Sequence, residues 1–143
     1  MKHSIKFYPV GNGDCDLITI GGANKKIMFD CNFRKKAEEE NEEMYDVLDD
    51  LLTNELTTKK CGLPLLDAFL LTHPDQDHCR SFADKFFLGD PDAVPQSAKD
   101  DKKILIGELW YSPRVFEELS GELNADAKAF KKEAKRRMDL YKS

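Results

Sequence analysis

No apolar run in this 143-residue sequence approaches the length that crosses a bilayer, and the first residues, MKHSIKFYPV, lack the hydrophobic stretch of a signal peptide. The expectation is a cytoplasmic chain with no membrane partner. There is no C-x-x-C pair among Cys15, Cys31, Cys61 and Cys79, which counts against a zinc knuckle. A disulfide framework is foreign to a cytoplasmic setting, so these thiols read as reduced and partly buried. There is no excess of positive charge. The formal net charge of −5 argues against nucleic-acid binding through the overall field, though not against a local basic patch or bound cations. Internal repeats, low-complexity stretches and interdomain linkers are missing too. Histidine is scarce: there are three, and none follows His78.

What is present is the balance of a globular domain, 41% hydrophobic and 34% charged, and residues 1–143 read as one domain with a real core. SIKFYPV (4–10) and DLITIGG (16–22) are rich in β-branched and aromatic residues, with GNGD (11–14) as a tight turn between them. GGAN leads into KKIMFDC, a third strand ending at Asp30, so an antiparallel meander is expected first. From Lys36 to about Thr58, Met44, Val47, Leu48, Leu51, Leu52 and Leu56 recur at helical spacing. Glu38, Glu39, Glu40, Glu42 and Glu43 crowd the front of that helix, where the macrodipole favours anions, and read as a solvated face.

Gly62 and Pro64 close the helical segment. LLDAFLLT (65–72) then reads as a buried strand, SFADKFF (81–87) as a short helix, and GDPDAVPQSAKDD (89–101) as a loop. KILIGELWYS (103–112) is another buried strand, and Pro113 suits the start of a helix PRVFEELS. A last helix follows Asn124, with Ala127, Phe130, Ala134, Met138 and Tyr141 along one stripe. The class is mixed, α+β.

The stretch LLTHPDQDHC (70–79) carries the chemistry. An apolar run ends in two histidines and two aspartates within six positions, where charge is costly unless paired or bound to metal. Pro74 biases His73 towards extended angles, and in an extended segment positions 73, 75 and 77 point the same way; a turn then presents His78 beside them. Imidazole with carboxylate suits zinc, manganese or iron, and the absence of thiolate disfavours a closed structural zinc site. Four such groups could serve two adjacent metals, the arrangement that clamps a water and a leaving oxygen in hydrolysis. The bland reading is a polar loop in which an aspartate caps a helix and the histidines are incidental. His3, at the start of the chain, reads as incidental.

THPDQDH resembles the H-x-[HD]-x-D-H motif of the metallo-β-lactamase superfamily, in the H-x-D-x-D-H form of the hydrolase domains of ComEC/Rec2 competence proteins. PVGNGDCDLITIGG and KKIMFDCN are similar to the opening of those domains, and the resemblance covers residues 5 to about 82. It implies an αββα sandwich of two similar halves, of which this chain covers roughly the first. His73 and Asp75 would bind one divalent metal, Asp77 and His78 a second, with zinc the leading identity and manganese or iron behind it. Asp77 is also the residue assigned to catalysis. Asp30 would orient the metal loop, and Gly11, Gly13 and Asp14 match the turn that packs beside the site. The implied activity is hydrolysis by a metal-activated water, with a phosphodiester of nucleic acid or nucleotide favoured. Stand-alone hydrolases of bacterial defence are one setting that family analogy offers.

Two departures stand out. The family continues D-H-x-G-G, whereas Cys79, Arg80 and Ser81 follow here. The family also draws a further His, a bridging Asp and a last His from downstream, where this sequence has no histidine. The alternative is therefore a half-domain that binds or regulates, or is completed by a missing C-terminal half, a second subunit or self-association. A second candidate surface is the basic helix bearing Lys128, Lys131, Lys132, Lys135, Arg136 and Arg137. It reads as a solvated face or as a track for a nucleic-acid backbone, without the interleaved aromatics that stack bases.

Overall fold

The computed structural model describes residues 2–34, 45–117 and 123–142. A meander opens the fold: β1 (Ser4–Phe7), β2 (Asp16–Ile20) and β3 (Lys25–Phe29) pair antiparallel in chain order. A two-residue β4 (Cys31–Asn32) follows at once. The acidic front of the expected helix, Glu38 to Met44, lies outside the described residues. Its described part is shorter than the periodicity predicts: α1 (Val47–Asp50), capped by the Asp46 carboxylate on the Asp49 amide, widens into a π turn at Leu51–Glu55.

The chain then enters a small hairpin, β5 (Lys59–Lys60) against the start of β6 (Leu63–Leu71). Pro64 is therefore inside the strand rather than a terminator, paired with Lys59 at the margin of the sheet, where a missing amide donor is tolerated. β6 lies parallel to β3 and to β8 (Ile104–Tyr111), and β8 lies parallel to β7 (Phe86–Phe87). The result is a seven-stranded mixed sheet of order β1-β2-β3-β6-β8-β7, with β5 on β6.

Three other expectations need correction. The helix in 81–87 is α3 (Phe82–Lys85), but Phe86 and Phe87 leave it to pair with Ile104 and Leu105. The stretch 89–101 is not all loop: a 3-10 turn spans Pro91–Ala93 and α4 spans Gln96–Asp100. Its apolar anchor is Ala98, buried with Leu63, Phe87 and Leu105, a tertiary contact that polar composition conceals. PRVFEELS gives a 3-10 turn over Pro113–Phe116, capped by Ser112, and residues 118–120 are not described.

The main hydrophobic core lies on one face of the sheet, beneath helices. Leu17, Met28, Phe69 and Leu71 point to that face and are fully or almost fully buried. Phe69 sits at its centre, its ring 5.4 Å from Phe82 and Phe86 and 6.2 Å from Phe130 of α5 (Ala125–Lys142). Truncating such a residue to Ala removes about 3–5 kcal/mol. Ala127, Phe130 and Ala134 of the predicted stripe join this core, whereas Met138 and Tyr141 are exposed. At the meander edge, Lys6 reaches Asp50 (2.9 Å) and Glu55 (2.6 Å), and Lys26 reaches Glu55 (2.9 Å), which ties α1 and the π turn to β1 and β3.

Over the meander and the ends of β6 and β8, the opposite face is largely apolar and, among the described residues, partly exposed. The strand registers set two rows across five strands: Ile5, Ile18, Ile27, Ala68 and Glu108 in one, and Phe7, Asp16, Phe29, Leu70 and Trp110 in the other. Ile5 is 58% exposed, Phe7 73% and Trp110 39%. A sheet with parallel strands at its centre ordinarily has both faces covered. Here, among the described residues, the second face is covered by a helix only at its β7–β8 end, where Ala98 of α4 packs with Leu63, Phe87 and Leu105.

Candidate metal centre

β3, β6 and β8 run parallel, and the candidate residues gather where β3 and β6 end, the edge at which open sheets of parallel strands bind ligands. The chain bends at Thr72 as it leaves β6 and runs without regular structure to Asp75, which is extended and stands at the start of α2 (Gln76–Cys79). Asp77 and His78 therefore lie on a helical turn, not on the extended alternation that the spacing predicts. The short run Gln76–Cys79 is favoured because the Asp75 carbonyl accepts the His78 amide at 3.0 Å.

Asp30 lies beneath this loop. It is 1% exposed and holds a left-handed backbone, φ +58°, which Asp adopts more readily than most residues. Its amide donates to the Leu70 carbonyl (2.9 Å). Its Oδ1 accepts the Thr72 amide (2.7 Å), and its Oδ2 accepts the Thr72 hydroxyl and His78 Nδ1 (2.8 Å). A buried carboxylate is costly alone, but three donors aimed at two oxygens compensate it. With Nδ1 engaged, His78 keeps Nε2 for other partners, 3.8 Å from Asp77 Oδ1. Burial opposes a charge on His78, yet the Asp30 hydrogen bond and the carboxylates of Asp30, Asp77 and Asp14 outweigh it and raise its pKa above the usual histidine value.

The turn after β1 closes the site from above. A Cβ on Gly13 would fall 1.9 Å from the Asp77 carbonyl oxygen, and φ there is +85°. Only glycine lets the two backbones approach so closely. That approach sets Asp14 Oδ2 4.0 Å from His78 Nδ1. Among the described residues, Asp14, Asp30 and His78 form a group whose donor atoms lie within 4.8 Å of one another and could hold a metal ion. Within that group Asp30 already spends both oxygens on Thr72 and His78, which suits it to orienting a ligand rather than being one.

The other candidates are placed as follows. The His73 ring lies beside that of His78, centroids 4.9 Å apart, with Nδ1 3.0 Å from the Thr72 hydroxyl. Asp77 is half-buried next to His78. Asp75 is exposed, and it falls outside the three-residue group, as do His73 and Asp77. His3 accepts the Gly21 amide at the far end of the meander. Cys79 is buried, its thiol turned to the Asp75 carbonyl and pushed up to about 12 by burial, which makes it unfit as a nucleophile.

Several residues that hold the loop escaped sequence reasoning. Asp126, in the first turn of α5, accepts the Ser81 and Ala83 amides and the Gln76 side chain. Asn124 caps α5 by accepting the Ala127 amide and donates to the Pro74 carbonyl at 3.0 Å. The Asn-x-Asp start before an apolar stripe is an N-terminal helix signal, but nothing local tells that it grips a loop fifty residues away. Asn32, fully buried, bridges the Asn12 carbonyl and Arg80 Nε. On the basic helix, Arg136 and Arg137 pair with buried Glu133, Arg137 also caps the Ile106 and Gly107 carbonyls, and Lys135 meets Asp139. No described helix is long and apolar enough to cross a membrane.

Comparison with family models, with curated proteins and with solved structures finds no match to this chain.

Proposed function

We propose that this chain carries the metal-binding half of a metal-dependent hydrolase of metallo-β-lactamase type, acting on a phosphodiester. The observation that carries the reading is Asp30 holding His78 by Nδ1 beneath a loop that gathers His73, Asp77 and His78 at the strand ends. A carboxylate behind a histidine is the arrangement that fixes a metal-ligating imidazole. By donor type the loop suits a zinc-like or manganese-like ion: His78 and Asp14 of the close group would hold it, and His73, Asp77 and Asp75 would move in to complete the ligand set. Ions held there would lower the pKa of a bound water towards neutrality and polarise a phosphoryl oxygen. The residues of this chain do the rest. Asp30 and Thr72 orient the imidazoles, Gly13 admits the turn that carries Asp14, and Asn124 and Asp126 brace the loop from α5.

A second reading keeps the metal loop but not the activity: a half-domain that binds or regulates, completed by a second apolar layer. The open rows from Phe7 to Trp110, and the lack of any histidine after His78, favour it. The cytoplasmic setting, and a nucleic-acid backbone along Lys128, Lys131 and Lys132, belong to the same proposal.

Equilibrium dialysis against zinc or manganese, followed by metal analysis and a bis-(p-nitrophenyl) phosphate assay, tests both. Metal uptake lost in His78→Ala and Asp77→Ala, with turnover, supports the hydrolase. Uptake without turnover, in a chain that self-associates or binds a second polypeptide through Phe7 and Trp110, supports the half-domain. Equal uptake by the native chain and His78→Ala overturns both.

A further inference from the structure

The Thr72 hydroxyl has two neighbours at hydrogen-bond distance, Asp30 Oδ2 and His73 Nδ1 (3.0 Å), and one proton. A carboxylate has no proton to give, so the hydroxyl proton goes to Asp30. The oxygen is then free only to accept, and what it accepts must be a proton on His73 Nδ1. His78 presents its own Nδ1 to the same Asp30 oxygen at 2.8 Å. One buried carboxylate thus governs both imidazoles, the first through a hydroxyl relay and the second directly.

We infer that Thr72 is a positioning residue that fixes His73 as the Nδ1-protonated tautomer, leaving Nε2 as its bare, ligand-ready nitrogen. The inference deepens the metal-centre reading and rests on it for its functional consequence, but the tautomer itself is a property of the chain without metal. Thr72 is well placed for the task. Its amide is held by Asp30 Oδ1 (2.7 Å), so its hydroxyl cannot drift from the carboxylate without breaking a second bond. It is also the first residue past β6, where parallel pairing on both sides anchors the backbone.

The test uses the whole chain labelled with nitrogen-15 at histidine, treated with chelator and held at a pH where the imidazoles are neutral. Long-range proton–nitrogen correlation then reads each tautomer. In the native chain both His73 and His78 should be Nδ1-protonated. Thr72→Val keeps the shape and removes the relay, so His73 should move towards the Nε2-protonated form while His78 stays. Thr72→Ser keeps the hydroxyl and should restore the native signature. Zinc affinity should fall about tenfold in Thr72→Val and recover in Thr72→Ser. A native His73 protonated at Nε2, or a His73 signature unchanged in Thr72→Val, overturns the assignment. A native chain with both tautomers as assigned that takes up no metal supports the relay and refutes the hydrolase reading, so the two failures are distinguishable.

Discussion

Replacing Asp30 with Asn asks how much the fold leans on the carboxylate beneath the metal loop. Asn keeps the shape and tolerates the left-handed backbone of φ +58°, so neither a cavity nor new strain confuses the result. What changes is the acceptor inventory. Asp30 meets three donors, the Thr72 amide on Oδ1 and the Thr72 hydroxyl and His78 Nδ1 on Oδ2. An amide side chain has one oxygen, and its NH2 replaces an acceptor; the Thr72 hydroxyl and a neutral imidazole can turn acceptor to meet it, whereas the Thr72 amide cannot. One orientation sets NH2 against the Thr72 amide, the other against the hydroxyl and the imidazole.

Three bonds to a charged group, worth about 1.5–3 kcal/mol each, become neutral ones of about 0.5–1.5 kcal/mol, so the expected loss is about 3 kcal/mol. In a chain of this size each kcal/mol moves the melting midpoint by about 2–4 °C, so Asp30→Asn should melt about 6–12 °C lower. The assay is thermal unfolding followed by circular dichroism with chelator present, which keeps metal affinity out of the measurement. Asp30→Ala should be less stable still, because Ala in the left-handed region adds about 1–2 kcal/mol. A midpoint for Asp30→Asn within about 2 °C of the native value would refute the account of Asp30 as the buried acceptor that organises the loop.

Gly13→Ala should destabilise by about 2–4 kcal/mol in urea unfolding, since its Cβ would fall 1.9 Å from the Asp77 oxygen, whereas Gly22→Ala, with φ +84° but open space around it, should cost about 1 kcal/mol. Equal losses at the two glycines would show that backbone angle, not the approach to Asp77, governs. Burial opposes the charge on Asp50 and Glu55, but bonds from Tyr8, Asn54 and Lys6 to the first, and from Lys6 and Lys26 to the second, hold both below the usual carboxylate range. Their stabilisation is present above the unfolded carboxylate value of about 4 and is lost as pH falls through the lowered folded values. Glu55→Gln should therefore flatten the acid side of the stability profile, and an unchanged slope would count against the network. Maleimide at neutral pH should label exposed Cys61 quickly and buried Cys15, Cys31 and Cys79 only in denaturant; fast labelling of Cys79 would contradict the packing of α2 against β4 and α5.

The parts legible in the sequence were those fixed by local periodicity and local chemistry. Alternating β-branched residues with GNGD and GGAN between them predict the meander, and the meander is there in register. The apolar runs at 65–72 and 103–112 predict two buried strands, found at Leu63–Leu71 and Ile104–Tyr111. The packing of His, Asp, Asp and His after the first of these marks the loop as the place of interest, because ionisable groups are rarely crowded at a strand end without a reason. Other features are decided by contacts between residues far apart in sequence, which no local pattern encodes. Phe86 and Phe87 become strand because β8 offers an edge, and Gln96–Asp100 becomes helix because Ala98 has a cluster to enter. Asp77 and His78 sit on a helical turn because α2 is clamped between Asp30 below and Asn124 and Asp126 beside it. The sequence by itself named the ionisable side chains of interest, His73, Asp75, Asp77 and His78 as ligands with Asp14 and Asp30 beside them. The tertiary structure alone decided which of them meet: Asp30, forty-eight residues from His78, reaches it because β3 and β6 run side by side and end at the same edge.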